Sequence, residues 1–210
     1  MIKKLQTKML NHIKRTPAEM LKLIALIIVM GFATQVVASV VLTLILDTMP
    51  EVASEYKQAT SVMLELTPKM MLFVCVMAPL FEELFFRGLI FGVLKKFAPF
   101  LIANITQALA FGIYHGNIIQ GIYAFLLGMF IGVVLLLTGS LCYTILLHMS
   151  INFAGLFIGR LVPENTGFVF KLMLVAFAVA VLTLITYHLY LEWKKSGIEI
   201  DAHNDIVDEL

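Results

Sequence analysis

The sequence predicts an all-α protein, a polytopic transmembrane bundle of about six spans around a polar cavity, and three observations carry that expectation. Of its 210 residues 60% are hydrophobic and 14% are charged, where an ordinary globular domain has about 25% charged residues. Its mean hydropathy is +0.96. The apolar residues also fall into stretches of roughly 20, the length a helix needs to cross a bilayer, with the polar residues gathered in short runs between them. Soluble folds, disordered chains and nucleic-acid modules are excluded, and no nucleic-acid partner is expected. The net charge of +1 points to no partner.

The elements follow in order. Residues 1–22 are a basic, mildly amphipathic opening (Lys3, Lys4, Lys8, Lys14, Arg15, Lys22), and an uninterrupted apolar run from Leu23 to Leu46 follows. A secretory signal has a shorter apolar region and a small-residue cleavage site after it. The segment from Asp47 to Glu65 offers no such site, so the first span is expected to remain uncleaved. That segment is acidic (Asp47, Glu51, Glu55, Glu65) and able to form a short surface helix. Five further spans are drawn at Met70–Leu94, Phe97–His115, Ile118–Leu137, Leu141–Gly159 and Phe168–Tyr190. Residues 191–210 form an acidic tail, expected to be mobile. No repeat or composition shift argues for a second domain, so the chain reads as one membrane domain, residues 1–210.

Six crossings place both termini on one face. Ten of the fifteen basic residues flank that face (the six above, Lys95, Lys96, Lys194, Lys195), against three on the other (Lys57, Lys69, Arg160). By the positive-inside rule both termini are expected to be cytoplasmic, in a plasma membrane. Cys75 and Cys142 lie in apolar segments away from any CxxC or His/Cys cluster and read as small core residues.

Ionisable groups inside spans cost several kcal/mol unless they meet a partner or a wet cavity. Here they reduce to Glu82, Glu83, Arg87 and a peripheral Lys171, with His115 and His148 beside them. Glu83 and Arg87 are i and i+4, so they stack on one helical face as an ion pair, for which a structural role is the simpler reading. Glu82 lies about 100° round the helix and must find its partner on another helix. His148 and Asn152 are again i and i+4, presenting an imidazole and an amide from one face. Singly, each histidine could equally be a satisfied interhelical hydrogen-bonding group. Together, a carboxylate and imidazoles in a low-dielectric cavity can deprotonate a water, while an imidazole and an amide can donate to an oxyanion. That set suits peptide hydrolysis.

Glu82-Glu83-x-x-x-Arg87, Phe111-x-x-x-His115 and His148-x-x-x-Asn152, in this order on successive hydrophobic segments, resemble the CPBP or Abi family. These are CAAX protease and bacteriocin-processing intramembrane peptidases related to type II CAAX prenyl endopeptidases. The resemblance covers about residues 70–160. It implies a helical membrane glutamate peptidase in which Glu82 is the base, His115 its partner in activating water, and His148 with Asn152 the oxyanion site, with Glu83 and Arg87 in support. The substrate it implies is a membrane-associated peptide or lipidated protein: a prenylated CAAX-type end, a bacteriocin or signalling peptide, or a leader. Two histidines and a glutamate can also ligate zinc, but no HExxH spacing is present and Asn152 has no place in such a site, so no metal or other cofactor is expected.

Two other classes remain open: a non-catalytic bacteriocin immunity or membrane interaction protein that uses the polar cluster as glue, and a proton-coupled carrier. Against the carrier, the chain shows no inverted pair of interrupted helices. One feature is hard to reconcile with straight helices. Counted from the cytoplasmic ends of their spans, Glu82, His115 and His148 lie roughly 20, 27 and 12 Å deep at 1.5 Å per residue. Span three must be tilted, begin later after Pro99, or belong to a re-entrant pair broken at Gly116-Asn117.

Overall fold

The computed structural model describes residues 15–61, 67–161 and 166–196. The basic residues before Arg15, Glu65 and the acidic tail beyond Ser196 lie outside them. All regular elements among the described residues are helices.

Helix α1, Pro17–Thr48, starts where the sequence provides a full set of start signals. Thr16 accepts from the Glu19 amide at 3.3 Å, the Glu19 carboxylate accepts from the Thr16 amide at 2.7 Å, and Pro17 occupies the first turn. This reciprocal box satisfies two amides that the first helical turn leaves without partners. The helix runs six residues further towards the N-terminus than the apolar stretch because the cap, rather than hydropathy, sets its start. The acidic segment does form a short helix, α2, Pro50–Thr60.

Helix α3 runs from Pro68, capped by Thr67, in five stretches. These are α-helical Pro68–Leu72, π-helical Phe73–Met77, α-helical Ala78–Glu83, π-helical Leu84–Phe91 and α-helical Gly92–Leu94. Helix α4 is Phe100–Tyr114 and α5 is Ile118–Thr138. They are joined by Gly116 in the left-handed region (φ 66°) and by Asn117, whose side chain accepts from the Ile119 and Gln120 amides. Gly139, also left-handed at φ 67°, ends α5. Helix α6 is Leu141–Leu161 and α7 is Phe168–Lys195.

Three of these, α1, α5 and α7, are long and apolar enough by themselves to cross a membrane. The apolar parts of α4 and α6 are shorter, and α3 is divided by its π-helical stretches. The six-span count therefore rests on unequal members. The bundle is an integral-membrane helical fold, and α4, 15 residues long, reaches only about 22 Å at 1.5 Å per residue, short of the ~30 Å hydrocarbon core.

The core sits where α1, α5, α6 and α7 meet, around Ile27, Met30, Ile131, Val134, Leu147 and Ile151. Close approach is bought by small residues, as is usual between membrane helices. A Cβ on Gly31 of α1 would lie 2.5 Å from Ser150 Cβ of α6, and one on Gly112 of α4 would lie 2.6 Å from the Gly121 carbonyl oxygen of α5. Helices α3 and α4 pack beside α5 through Phe86, Phe111 and Ala124.

Two sequence expectations need correction. Span three starts at Phe100 rather than Phe97, because Pro99 takes the cap position and cannot continue a helix backwards. Cys142 is exposed rather than core, lying one residue into α6 on its outward side, whereas Cys75 is buried and both thiols are free. Lys171 lies in the first turn of α7, at the periphery of its span, and is 8% exposed.

Candidate active site

The site forms where α3, α4 and α6 meet, and its centre is the Glu83 carboxylate, which is wholly buried. Glu83 Oε1 receives the Arg87 NH1 donor at 2.9 Å and lies 2.8 Å from His148 Nδ1. An ionised carboxylate only accepts, so Nδ1 is the nitrogen of His148 that carries hydrogen, and Nε2 points the other way. There it lies 3.7 Å from Glu82 Oε2. That gap is too long for a direct hydrogen bond and too short to hold a water between the two atoms. The two adjacent carboxylates thus flank one imidazole, the fully buried one orienting it and the half-buried one facing its free nitrogen.

His115, the last residue before the Gly116 turn, follows the same logic. Its Nδ1 lies 2.9 Å from the Phe111 carbonyl oxygen one turn back. A carbonyl also only accepts, so His115 presents Nε2 as its free nitrogen. His148 Nε2 faces Glu82, and His115 joins the same cluster through the Phe111 ring that both imidazoles touch.

Phe111 separates the two histidines. Its ring centroid is 4.7 Å from that of His115 and 5.9 Å from that of His148, with both rings edge-on to it. The Arg87 guanidinium lies 4.6 Å from the same centroid, a distance at which a cation is attracted to an aromatic face. The motif phenylalanine therefore sets the spacing of the two bases and covers the buried ion pair.

Asn152, one turn beyond His148, donates from Nδ2 to the Val74 carbonyl oxygen at 2.9 Å. Val74 lies in the first π-helical stretch, and π-helical segments recur at functional sites because they disturb the regular carbonyl ladder. An amide nitrogen carries two hydrogens, so one held by Val74 leaves the second free to be aimed.

The structure thus brings Glu82, Glu83, Arg87, Phe111, His115, His148 and Asn152 into one neighbourhood. The late start of α4 reduces the depth counted for His115 to about 22 Å, and the π-helical stretch Leu84–Phe91, which advances less per residue, brings Glu82 closer to the depth of His148. Sequence reasoning missed the Glu83–His148 bond and two buried amides, Asn104 and Gln107, that stand behind Arg87. Their signal was present in two carboxamides three residues apart within an apolar span, which carry no charge to mark them.

Residues 65–154 match the family model for Rce1-like proteins, described as type II CAAX prenyl endopeptidase Rce1-like. This part of the chain is similar to that family. No curated protein and no solved structure matches the chain. The Rce1-like segment contains every motif residue in the site and ends two residues past Asn152, leaving α1, α2 and α7 outside it. At family level it supports a CAAX-type intramembrane endopeptidase.

Proposed function

We propose that the protein hydrolyses a peptide bond in a membrane-associated or membrane-inserted substrate, by a water that Glu82 and His115 activate. The observation that carries this reading is Glu82 Oε2 lying 3.7 Å from His148 Nε2, beside a second imidazole, His115, whose Nδ1 is likewise committed elsewhere so that it offers Nε2.

The water donates one hydrogen to Glu82 and the other to His115 Nε2. Glu82 takes its proton as the oxygen attacks the scissile carbonyl carbon. The resulting oxyanion accepts from Asn152 Nδ2, and it can accept from His148 Nε2 when that ring carries a second hydrogen beside the Nδ1–H committed to Glu83. Collapse of the tetrahedral intermediate breaks the C–N bond, and the proton held by Glu82 passes to the departing amine. Donors fixed before the reaction in a water-poor site are the largest single source of such rate enhancement, and one lost donor costs ~10²–10³ in kcat.

Substrates of the right chemistry are a prenylated CAAX-type terminus, a bacteriocin or signalling peptide, or a leader remnant held at the membrane. Mass spectrometry of membrane peptides from cells making the wild-type protein or Glu82→Ala tests the reading and names the bond. Products that disappear in Glu82→Ala, with the protein still inserted at normal levels, support it. An unchanged product set sinks it and favours the non-catalytic immunity or interaction role.

A further inference from the structure

The buried ion pair is backed by a row of amides that the hydrolytic reading does not use. Arg87 NH2 donates to the Gly128 carbonyl oxygen of α5 at 3.3 Å, and Gln107 Nε2 of α4 donates to that same oxygen at 3.1 Å. Gln107 Nε2 also donates to Asn104 Oδ1 at 2.8 Å, and Asn104 Nδ2 donates to the Met129 carbonyl oxygen at 3.0 Å. Both carboxamides are wholly buried. Their room is made by glycine: a Cβ on Gly132 would overlap the Asn104 amide, and one on Gly128 would lie 3.3 Å from Arg87 NH2.

We propose that Gln107, pinned by Asn104, is a positioning residue that fixes the Arg87 guanidinium and, through Glu83, the aim of His148. This rests on the assignment of His148 to the hydrolytic site. Burying two amides is costly where their hydrogen bonds are not all met, as at Gln107 Oε1, which has no partner among the described residues, and an apolar helix contact would have closed the α4–α5 hairpin without them. Gln107 spends both its hydrogens, one on Asn104 and one on Gly128, and so occupies the space beside the guanidinium. Arg87 is thereby held at two points, Glu83 and Gly128, with the Phe111 ring over it. Without Gln107 the guanidinium can slide towards Gly128 and away from Glu83. Glu83 Oε1 carries both Arg87 and His148, so a shift of one moves the other. Residues that orient a site's first contacts typically change activity 10–100-fold when removed.

The test uses the full chain in nanodiscs with ¹⁵N-labelled histidine, comparing wild type, Gln107→Met, Gln107→Glu and Glu82→Ala. In the wild type the His148 signal should report hydrogen on Nδ1. In Gln107→Met, which keeps the side-chain volume but removes the donors, the His148 tautomer signal and its titration midpoint should both move. Cleavage of a farnesylated CAAX-type peptide should fall about 10–100-fold in kcat with KM nearly unchanged. In Gln107→Glu the His148 signature should return towards wild type as pH falls, because a protonated carboxyl can again donate to Gly128. A His148 spectrum and titration unchanged in both variants overturn the proposal, as does activity that falls only in proportion to folded protein. If wild type and Glu82→Ala treat the peptide alike, the peptidase reading fails instead, and the histidine spectrum still decides the role of Gln107.

Discussion

At the scale of single residues, the site turns on one carboxylate oxygen that holds both a guanidinium and an imidazole. The sequence made the Glu83–Arg87 pair legible because i,i+4 spacing is a local rule that survives even where the helix becomes π-helical. It also made Glu82 legible as the group that must look to another helix. It did not show that Glu83 rather than Glu82 makes the short bond to His148, since that choice depends on how α3 rotates against α6, which no local spacing fixes. The arrangement predicts an asymmetry between single and double substitution. Arg87→Met should lower stability by roughly 3–5 kcal/mol, the cost of leaving one member of a buried pair uncompensated, measured as thermal unfolding in detergent. Adding Glu83→Gln should recover most of that loss, because the uncompensated charge is gone. Hydrolysis should stay absent in the double variant, since His148 has lost the carboxylate that orients it. Full stability in Arg87→Met would show that the pair is not buried as described.

At the scale of elements, the α4–α5 hairpin carries Phe111 and His115, and its closeness is set by glycine rather than by the large apolar residues. Replacing a helical glycine by alanine ordinarily stabilises a helix, by about 1 kcal/mol. Gly112→Ala should reverse that sign, because its new Cβ would meet the Gly121 carbonyl oxygen at 2.6 Å. Backbone cannot rotate away as a side chain can, so the expected loss is about 1–3 kcal/mol, with reduced activity as Phe111 and His115 are displaced. Gly92→Ala is the contrast, its nearest atom being 4.0 Å away, and should be neutral or slightly stabilising. Unfolding midpoints of the two variants check the pair; equal midpoints would refute the packing. Hydropathy located the helices well but could not show the π-helical stretches of α3, which share the composition of the α-helical ones. A uniform rise therefore overstates the depth of Glu82, which lies past the stretch Leu84–Phe91 from the Lys95–Lys96 end. The late start of α4 was legible at Pro99, and the break before α5 at Gly116-Asn117.

At the scale of the whole molecule, the two ends of the described chain are tied together. Arg15 lies 3.7 Å from Glu192 and Lys22 Nζ lies 3.2 Å from His188 Nε2, joining the start of α1 to the end of α7. The chain therefore enters and leaves the bundle at one face, whatever the exact number of crossings, while α2 lies beyond the far end of α1. Which face is cytoplasmic is a matter of charge, and the ten basic residues against three predict that the tied ends are inside. Cysteine labelling decides it. With Cys75→Ala and Cys142→Ser as background, Ser54→Cys on the exposed side of α2 should react with a membrane-impermeant maleimide in intact cells. Ser196→Cys, just past α7, should react only after permeabilisation. The opposite pattern would invert the protein. It would also move the tip of the α4–α5 hairpin, which carries His115, from the outer half of the membrane to the inner, and with it the side from which a substrate peptide meets the two histidines.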